Sequence, residues 1–267
     1  MKMFPIVCLM LLSHTIFVYS DDNALQPKSI FILAGQSNMV GRGGLVNGAL
    51  VDIPPESQPN PQILRLNPEL AWEEAQEALH AGIDPKECGI GPGMIFANSV
   101  LQRDNNIGVI GLVPCAVGGT SISQWLPGND LYVKMLSRTQ AALNNGGGEI
   151  KALLWYQGEN HDMVHEDTAN EYKSNLEKLL TQIRSDLKLP NLPVIEVALA
   201  SKGKEGTELF GPYFDVVRSA QLEMPNLLPN VKCVDALGFP VDNYDKLHLT
   251  VQAEVKLGKM LADAFLS

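Results

Sequence analysis

The feature that most constrains the fold of this chain is a regular alternation of short apolar runs with amphipathic ones. Five apolar runs predict buried strands, at residues 29–35, 107–114, 150–158, 193–200 and 231–236. Stripes with apolar side chains three and four residues apart predict helices, near residues 94–101, 131–142, 172–187 and 251–265. Strands that alternate with helices form a mostly parallel sheet whose two faces are both covered. The sequence therefore predicts an α/β fold.

The segments between the predicted strands and helices contain no recognisable interdomain linker. Thr168 and Glu171 form the pattern of a capping box at the start of the clearest helical stripe. Residues 45–90, rich in Pro and Asn, are a long excursion of the kind that often carries function at the rim of a fold. We therefore predict that residues 21–267 form one domain.

The first twenty residues have the pattern of a secretory signal peptide. Lys2 is the only charged residue there, and residues 6–12 form a short apolar core. Val18 and Ser20 are small enough for the −3 and −1 positions of a signal-peptidase site. The apolar core is shorter than the ~20 residues that cross a bilayer. We therefore expect cleavage, a secreted protein, and no membrane attachment after the signal is removed.

The mature chain is acidic and has few cysteines. Loss of Lys2 leaves 19 basic against 30 acidic residues, a net charge of −11. This charge argues against nucleic acid and anionic membranes as partners, and it suits a neutral substrate. Cys88, Cys115 and Cys233 are too few for a disulfide-built scaffold, and no pair has a zinc-like spacing. For a secreted protein we expect one disulfide and one buried thiol, with the pairing open.

A glycine-rich segment, IFILAGQSNMVGRGG at residues 30–44, ends the first predicted strand with polar side chains. It has neither GxxxxGK[ST] nor GxGxxG, so it is not predicted to bind a phosphate or a dinucleotide. It also lacks the GxSxG pattern of a nucleophile elbow, because Met39 stands at the fifth position. Serine chemistry still needs only a base, an orienting acid and oxyanion donors arranged in space. Ser37 is therefore a candidate nucleophile.

The other parts of such a site lie elsewhere in the chain. Asp245 and His248 are three residues apart, close enough for the carboxylate to reach the imidazole. Gly118 and Gly119 follow the second strand and allow a backbone N–H to face a substrate, and Gln157 follows the third strand as an amide donor. Each motif alone is also typical of a turn or a surface pair. Because open α/β sheets bind ligands at the carboxyl ends of their strands, we expect these motifs to converge.

Four motifs in this order, GQSNM, GGTSIxxW, WYQGE and DxxH, resemble those of the SGNH hydrolase superfamily. More narrowly, they resemble its sialate O-acetylesterase (SASA) domain group, which includes plant carbohydrate esterases. The motifs span residues 31–248. The resemblance implies a flavodoxin-like three-layer α/β/α sandwich. It also implies hydrolysis of acetyl esters on carbohydrate, such as acetylxylan or a sugar, without a cofactor.

The resemblance implies a role for each residue of this chain that stands at a matching motif position. Ser37 matches the nucleophile, His248 the base and Asp245 its acidic partner. The Gly118–Gly119 pair contains the match to the oxyanion glycine, with the choice between the two open, and the backbone N–H of Ser37 is a further donor.

Three residues have supporting roles in this comparison. Gln157 stands where the wider superfamily has an asparagine as third oxyanion donor. Glu159, in the same motif, is expected to hold the loop near Ser37. Trp125 either walls the acyl or sugar site or packs in the core, and the sequence leaves both interpretations open.

Two histidine-containing stretches suggest other sites. HDMVH, residues 161–165, has the HExxH zinc spacing with Asp in place of Glu. We expect it to lie in a loop before the capping box, with no third ligand, and we expect no metal. For His80 in the excursion, the alternatives are contact with substrate and a position facing solvent, and we expect the second.

Two other functions remain as alternatives. One is a lipid or aryl-ester hydrolase on the same scaffold, and the other is a catalytically silent carbohydrate-binding protein. The intact set of Ser37, Asp245 and His248 argues against the second, because a binding module does not need all three.

Overall fold

The computed structural model describes residues 27–267, so the predicted signal peptide at residues 1–20 lies outside the described residues. Within residues 27–267 the chain forms nine strands and seven helices. In chain order these are β1 Lys28–Gly35, α1 Ser37–Val40, β2 Leu45–Val46, β3 Ala49–Leu50, β4 Ile63–Leu66, β5 Trp72–Glu74, α2 Pro92–Arg103, β6 Val109–Pro114, α3 Asp130–Asn144, β7 Gly148–Tyr156, α4 His161–Val164, α5 Glu166–Asp186, β8 Val194–Ala198, α6 Phe214–Leu227, β9 Val231–Asp235 and α7 Val251–Leu266.

Seven of the strands form one sheet in the order β5-β4-β6-β1-β7-β8-β9. All neighbouring strands are parallel except β4 and β5, which are antiparallel. The run β6-β1-β7-β8-β9 has the strand order of flavodoxin-like sheets. Every residue of the central strand β1 is buried, and successive side chains of a strand point to opposite faces. Both faces of the sheet are therefore covered, and the predicted α/β class is confirmed.

Helices pack on both faces of this sheet and complete the three predicted layers. On one face, Phe31 of β1 makes edge-to-face contacts with Phe96 of α2 and Phe265 of α7, both at 4.9 Å between ring centroids. Helices α2 and α7 also pack tightly on each other, because a Cβ at Gly258 would lie 2.6 Å from the Cβ of Ile95. Helices α3, α5 and α6 lie on the other face, where α5 packs against α6.

The five predicted strands and four predicted helices are all present, with ends that differ by a few residues. The sequence analysis did not predict α6, nor the strands inside the excursion at residues 45–90. There, β2 and β3 form a small hairpin, and β4 and β5 extend the main sheet beyond β6. Part of the excursion at residues 45–90 therefore forms one edge of the main sheet.

The predicted capping box is wrong. Helix α5 begins at Glu166, so Thr168 already lies inside it. The Thr168 hydroxyl donates to the carbonyl oxygens of His161 and His165 instead of accepting from a backbone N–H. The helix therefore begins two residues before the predicted cap.

The expected disulfide is also wrong, because Cys88, Cys115 and Cys233 are all free thiols. Cys115 follows β6 and Cys233 lies on β9, with three strands between them. At ~4.8 Å between neighbouring strands, the two lie far beyond the ~7 Å Cα separation that a disulfide can bridge. In the described part of the chain, no helix has the length and apolar character needed to cross a bilayer.

Candidate active site

The first strand presents Ser37 at the carboxyl end of the sheet. Strand β1 ends at Gly35, which has a φ of +126°, and a Cβ there would lie 2.0 Å from the carbonyl oxygen of Tyr156. Only glycine therefore lets the chain leave β1 so close to the end of β7. The next N–H, of Gln36, donates to that Tyr156 oxygen at 2.8 Å. The single turn α1 then starts with Ser37.

The loop between β9 and α7 brings His248 and Asp245 to this serine. The Ser37 hydroxyl lies 2.9 Å from His248 Nε2, and His248 Nδ1 lies 2.5 Å from Asp245 Oδ2. Asp245 Oδ1 accepts the N–H groups of Leu247 at 2.8 Å and His248 at 3.0 Å. The structure thus brings together the three residues that the sequence analysis selected from opposite ends of the chain.

The carboxylate of Asp245 is held in its charged form. Burial alone would raise its pKa, but hydrogen bonds from the His248 ring and from the N–H groups of Leu247 and His248 lower the pKa to about 2. A carboxylate that stays ionised fixes the proton of the histidine on Nδ1. His248 Nε2 is then left to accept the proton of Ser37.

Asn38, which the sequence analysis did not single out, ties the serine loop to the histidine loop. Its Nδ2 donates to Glu159 Oε1 at 2.7 Å and to the carbonyl oxygen of Leu247 at 3.3 Å. Its Oδ1 accepts the N–H of Leu249 at 3.0 Å. The residues on both sides of His248 are therefore held by the neighbour of Ser37, and Glu159 contacts the serine loop through Asn38. The available sequence signal was the Asn in GQSNM.

The two glycines of the turn after β6 are not equivalent. The N–H of Gly118 donates to Asp84 Oδ2 at 3.0 Å, so it is already used. Within residues 27–267 the N–H groups of Ser37 and Gly119 have no acceptor. Gly119 has a φ of +78°, which favours glycine. Of the two glycines, Gly119 is therefore the one whose backbone N–H is available to donate a hydrogen bond to an oxyanion.

The geometry of Gln157 does not support its predicted role as an oxyanion donor. The side chain is fully buried and is not part of the wall of the cavity over Ser37. Its Nε2 donates to Asp162 and to the carbonyl oxygen of Thr120, so both amide protons are used inside the protein. Asn160 lines the cavity instead, with Nδ2 3.7 Å from the position of a Cβ on Gly119. An amide three residues after Gln157 was a sequence signal that the motif comparison passed over.

We expect Asn160→Ala to lower kcat by a factor of ~10², with KM changed much less, because the amide meets the oxyanion only as it forms. Steady-state kinetics on p-nitrophenyl acetate measure both constants. Asn170→Ala, at an exposed position of α5, is the matched control and should behave as the wild type. If kcat is unchanged in Asn160→Ala and falls strongly in a folded Gln157→Ala variant, the donor is Gln157.

The cavity over Ser37 is small, with a volume of about 130 Å³. Pockets that bury a drug-sized ligand start at ~300 Å³. Two of its lining side chains are cationic and two are large and apolar, namely Arg42, Lys86, Leu209 and Leu247. A small acyl group therefore fits beside Ser37, with a polar and cationic region around it.

Trp125 packs in the core, which decides between its two interpretations. It is fully buried and meets Trp155 edge-to-face, with 5.4 Å between the ring centroids. Its Nε1 donates to Thr120 Oγ1 at 3.0 Å, and that hydroxyl donates to the carbonyl oxygen of Val117 at 2.8 Å. Trp125 therefore supports the glycine turn from beneath and does not wall the cavity.

The histidines outside this site lie in surroundings other than those that the sequence analysis predicts. Residues 161–164 form the one-turn helix α4, so the predicted loop is wrong, and the rings of His161 and His165 stack at 5.6 Å. In the described part of the chain, no group of three or more His, Cys, Asp and Glu residues could hold a metal ion. His80 is fully buried, not solvent-facing, and burial lowers its pKa to about 3.

Burial raises the pKa of five carboxyl groups near the site and in the core, of which four belong to fully buried residues and one to the half-buried Glu77. The pKa rises to about 7 for Glu77 and Asp162. It is raised for Glu159, and raised well above its usual value for Glu196 and Glu254. The folded protein therefore holds protons that the unfolded chain, with glutamates near ~4.3, releases at lower pH.

We expect the melting temperature to fall by several degrees between pH 6.5 and pH 8.5. A raised carboxyl pKa gives stability that is complete below the unfolded pKa and is lost as pH rises through the folded pKa. The neutral His80 contributes an opposite dependence, but only below its unfolded pKa near ~6.5. For a domain of this size, 1 kcal/mol corresponds to ~2–4 °C.

Thermal unfolding of Glu254→Gln tests the cause of this fall. The amide cannot ionise, so its melting temperature should depend less on pH, whereas Glu177→Gln at an exposed position of α5 should keep the wild-type slope. A wild-type melting temperature that rises across this pH range would contradict the expectation.

Comparisons with known proteins agree with this architecture. The model of a family described as "Carbohydrate esterase, sialic acid-specific acetylesterase" matches residues 27–267. An Arabidopsis thaliana protein named as a probable carbohydrate esterase is 50% identical over 252 residues, which cover 91% of this chain and 92% of that protein. An X-ray structure of an Arabidopsis thaliana protein superposes with a TM-score of 0.80 at 49% identity, over 90% of this chain and 98% of that one. NanS, at 17% identity, shares the fold with a TM-score of 0.69 over 91% of this chain and 98% of its own.

Proposed function

Since the chain belongs to the sialic acid-specific acetylesterase family of carbohydrate esterases, we propose that it removes acetyl groups from O-acetylated carbohydrate by serine catalysis. The observation that carries the proposal is the hydrogen-bonded row of Ser37, His248 and Asp245 at a cavity of acyl size. A nucleophile, its base and the acid that orients the base are all in contact range.

Acylation begins when the Ser37 oxygen attacks the acetyl carbonyl carbon and its proton moves to His248 Nε2. Asp245 stabilises the imidazolium that forms, through the hydrogen bond to Nδ1. The tetrahedral intermediate then collapses, and the ester C–O bond breaks. The proton on Nε2 passes to the departing sugar oxygen, which leaves as a hydroxyl, and Ser37 carries the acetyl group.

The negative charge on the carbonyl oxygen is stabilised by fixed donors. These are the N–H groups of Ser37 and Gly119 and the amide of Asn160, which lie around the same cavity. In deacylation, a water molecule gives a proton to His248 and attacks the acetyl carbon. The bond between the acetyl carbon and the Ser37 oxygen then breaks, and the proton on Nε2 passes to the serine oxygen. Acetic acid leaves and ionises to acetate in solution, and no cofactor takes part.

A lipid hydrolase is a weaker interpretation of the same residues. A long acyl chain needs an apolar channel, whereas the described cavity has two large apolar side chains, Leu209 and Leu247, among polar and cationic ones. The short acyl group of an acetyl ester is therefore the better match.

The extracellular location is part of the proposal and rests on the sequence of residues 1–20. N-terminal sequencing of protein secreted by a eukaryotic expression host should begin at Asp21. Protein that keeps Met1 and stays with the cells would contradict secretion and leave the esterase proposal intact.

The substrate class is tested by acetate release from acetylated xylan, acetylated pectin and O-acetyl sialic acid, compared side by side with p-nitrophenyl acetate. The proposal expects release from at least one of the carbohydrates. A folded protein that cleaves none of the four would be a binding protein. One that cleaves only the aryl ester would be an aryl-ester hydrolase.

A further inference from the structure

We propose that Asp162 is a positioning residue of the esterase site, which holds the oxyanion donors Gly119 and Asn160 at the spacing that one oxygen atom requires. The inference rests on the proposed function and deepens it. Asp162 lies outside the four sequence motifs, is fully buried and is not part of the cavity wall, so it acts through other residues.

The two donors come from separate parts of the chain. Gly119 lies in the turn after β6, and Asn160 connects β7 to α4. The amide nitrogen of Asn160 lies 3.7 Å from the position of a Cβ on Gly119. In the described part of the chain, no hydrogen bond joins these two residues directly. Their spacing is therefore set by the residues around them.

Asp162 connects the two turns. Its Oδ2 accepts the N–H of Ile122, three residues after Gly119, at 2.9 Å. Asp162 also lies in the single turn α4, and two N–H groups of that turn donate to the carbonyl oxygen of Asn160, at 3.2 and 3.1 Å. The bond to Ile122 thus ties the backbone that carries Asn160 to the backbone that carries Gly119.

Gln157 makes a second connection through the same carboxyl oxygen. Its Nε2 donates to Asp162 Oδ2 and, at 2.9 Å, to the carbonyl oxygen of Thr120 in the glycine turn. The carbonyl oxygen of Gln157 accepts the hydroxyl of Tyr172 and the amide of Gln221, both at 2.8 Å. The connection between the two turns is therefore anchored on α5 and α6.

Burial makes this arrangement rigid. The side chains of Asp162 and Gln157 are both fully buried, and a buried donor that loses its acceptor has no water to replace it. Without Asp162, the two turns can shift relative to each other. A displacement of ~1 Å at a catalytic group can cost ~10² in rate.

The position of the acceptor matters here, and its charge does not. Both bonds end on Asp162 Oδ2, whereas Oδ1 has no partner among the described residues. An asparagine with its carbonyl oxygen in the place of Oδ2 keeps both bonds. Its NH₂ group then takes the place of Oδ1, where buried donors without an acceptor lower the stability of the fold.

Steady-state kinetics on p-nitrophenyl acetate compare four variants. Asp162→Ala should lower kcat by ~10² and change KM little, because the donors meet the oxyanion only as it forms. Asp162→Asn should keep most of the wild-type kcat although it melts at a lower temperature. Asp162→Glu, which keeps the charge and lengthens the side chain, should lose more of kcat. Asp167→Ala, at an exposed position of α5, is the matched control and should behave as the wild type.

A double-mutant cycle with Asn160→Ala separates positioning from a loss of stability. Asn160→Ala should lower kcat by ~10² in the wild type but by less than about tenfold in Asp162→Ala, where the amide is already displaced. Two independent effects would multiply, to a loss of ~10⁴ in the double variant, and would overturn the inference. All rates are measured well below the melting temperature of each variant.

The other outcomes are equally decisive. The inference fails if Asp162→Ala raises KM and leaves kcat unchanged, or if Asp162→Asn is as inactive as Asp162→Ala. If Asp162→Ala does not fold, the inference fails when Asp162→Asn is less active than Asp162→Glu. Each of these results, with an active wild type, leaves the proposed function standing. A folded wild type that is inactive on every ester would instead refute the proposed function.

Discussion

Replacement of Ser37 by alanine is expected to leave a folded protein whose esterase activity is lower by a factor of ~10⁴–10⁶. The hydroxyl of Ser37 is the group that His248 Nε2 contacts at 2.9 Å, and without it no acyl-enzyme can form. Ser37 is small and lies beside the cavity, so its loss should change packing little. The measurements are kcat/KM on p-nitrophenyl acetate and the melting temperature of the purified variant.

Two further variants make this result specific. Ser219→Ala, at an exposed position of α6, should keep wild-type kinetics. His248→Ala should be nearly as inactive as Ser37→Ala, because each removes one partner of the same proton transfer. Turnover near the wild-type level in a folded Ser37→Ala variant would remove the serine mechanism altogether.

The sequence was sufficient for the core of the fold and for the meeting of Ser37, Asp245 and His248. Central strands of a parallel sheet are buried on both faces, so their sequences are continuous apolar runs. Such runs can be predicted as strands without knowing which strands lie beside them. The carboxyl ends of these strands share one edge of the sheet. Motifs placed after different strands must then converge, whatever their separation along the chain.

Edge elements were harder to predict because their stability comes from their partners. Strand β4 is a four-residue run, Ile63–Leu66, that becomes a strand by pairing with β6, and β5 exists by pairing with β4. Helix α6 includes Pro225 near its end, and proline normally indicates a helix boundary. Its packing against α5 and β9 outweighs that local signal.

Which groups act as oxyanion donors depends on whether their N–H protons already have hydrogen-bond acceptors elsewhere in the protein. Gly118 and Gly119 look alike in sequence, and the difference between them is the carboxylate of Asp84, which uses one N–H and leaves the other. Gln157 is likewise excluded as a donor, because Asp162 and the carbonyl oxygen of Thr120 accept both of its amide protons. Residues such as these compete with an oxyanion for the same N–H donors. A motif does not reveal this competition, because the competing residue lies outside the motif or has no assigned role in it.

The second large effect expected is discrimination by acyl length. p-Nitrophenyl acetate should be cleaved with a higher kcat/KM than the butyrate, and the octanoate should be nearly inert. Each methylene that does not fit costs on the order of 1–3 kcal/mol in discrimination. The cavity of about 130 Å³ leaves little room beyond an acetyl group, and its cationic side chains lose hydration if an alkyl chain covers them.

Leu209 and Leu247 are the side chains that should set this limit, since they are the large apolar groups of the cavity wall. Leu209→Ala should therefore raise kcat/KM for the butyrate relative to the acetate by about tenfold, which is the lower end of the discrimination that one methylene gives. Leu222→Ala, at an exposed position of α6, should leave the ratio unchanged. A wild-type preference that increases with chain length would favour the lipid hydrolase, because an apolar channel rewards each added methylene whereas a closed acetyl cavity rejects it.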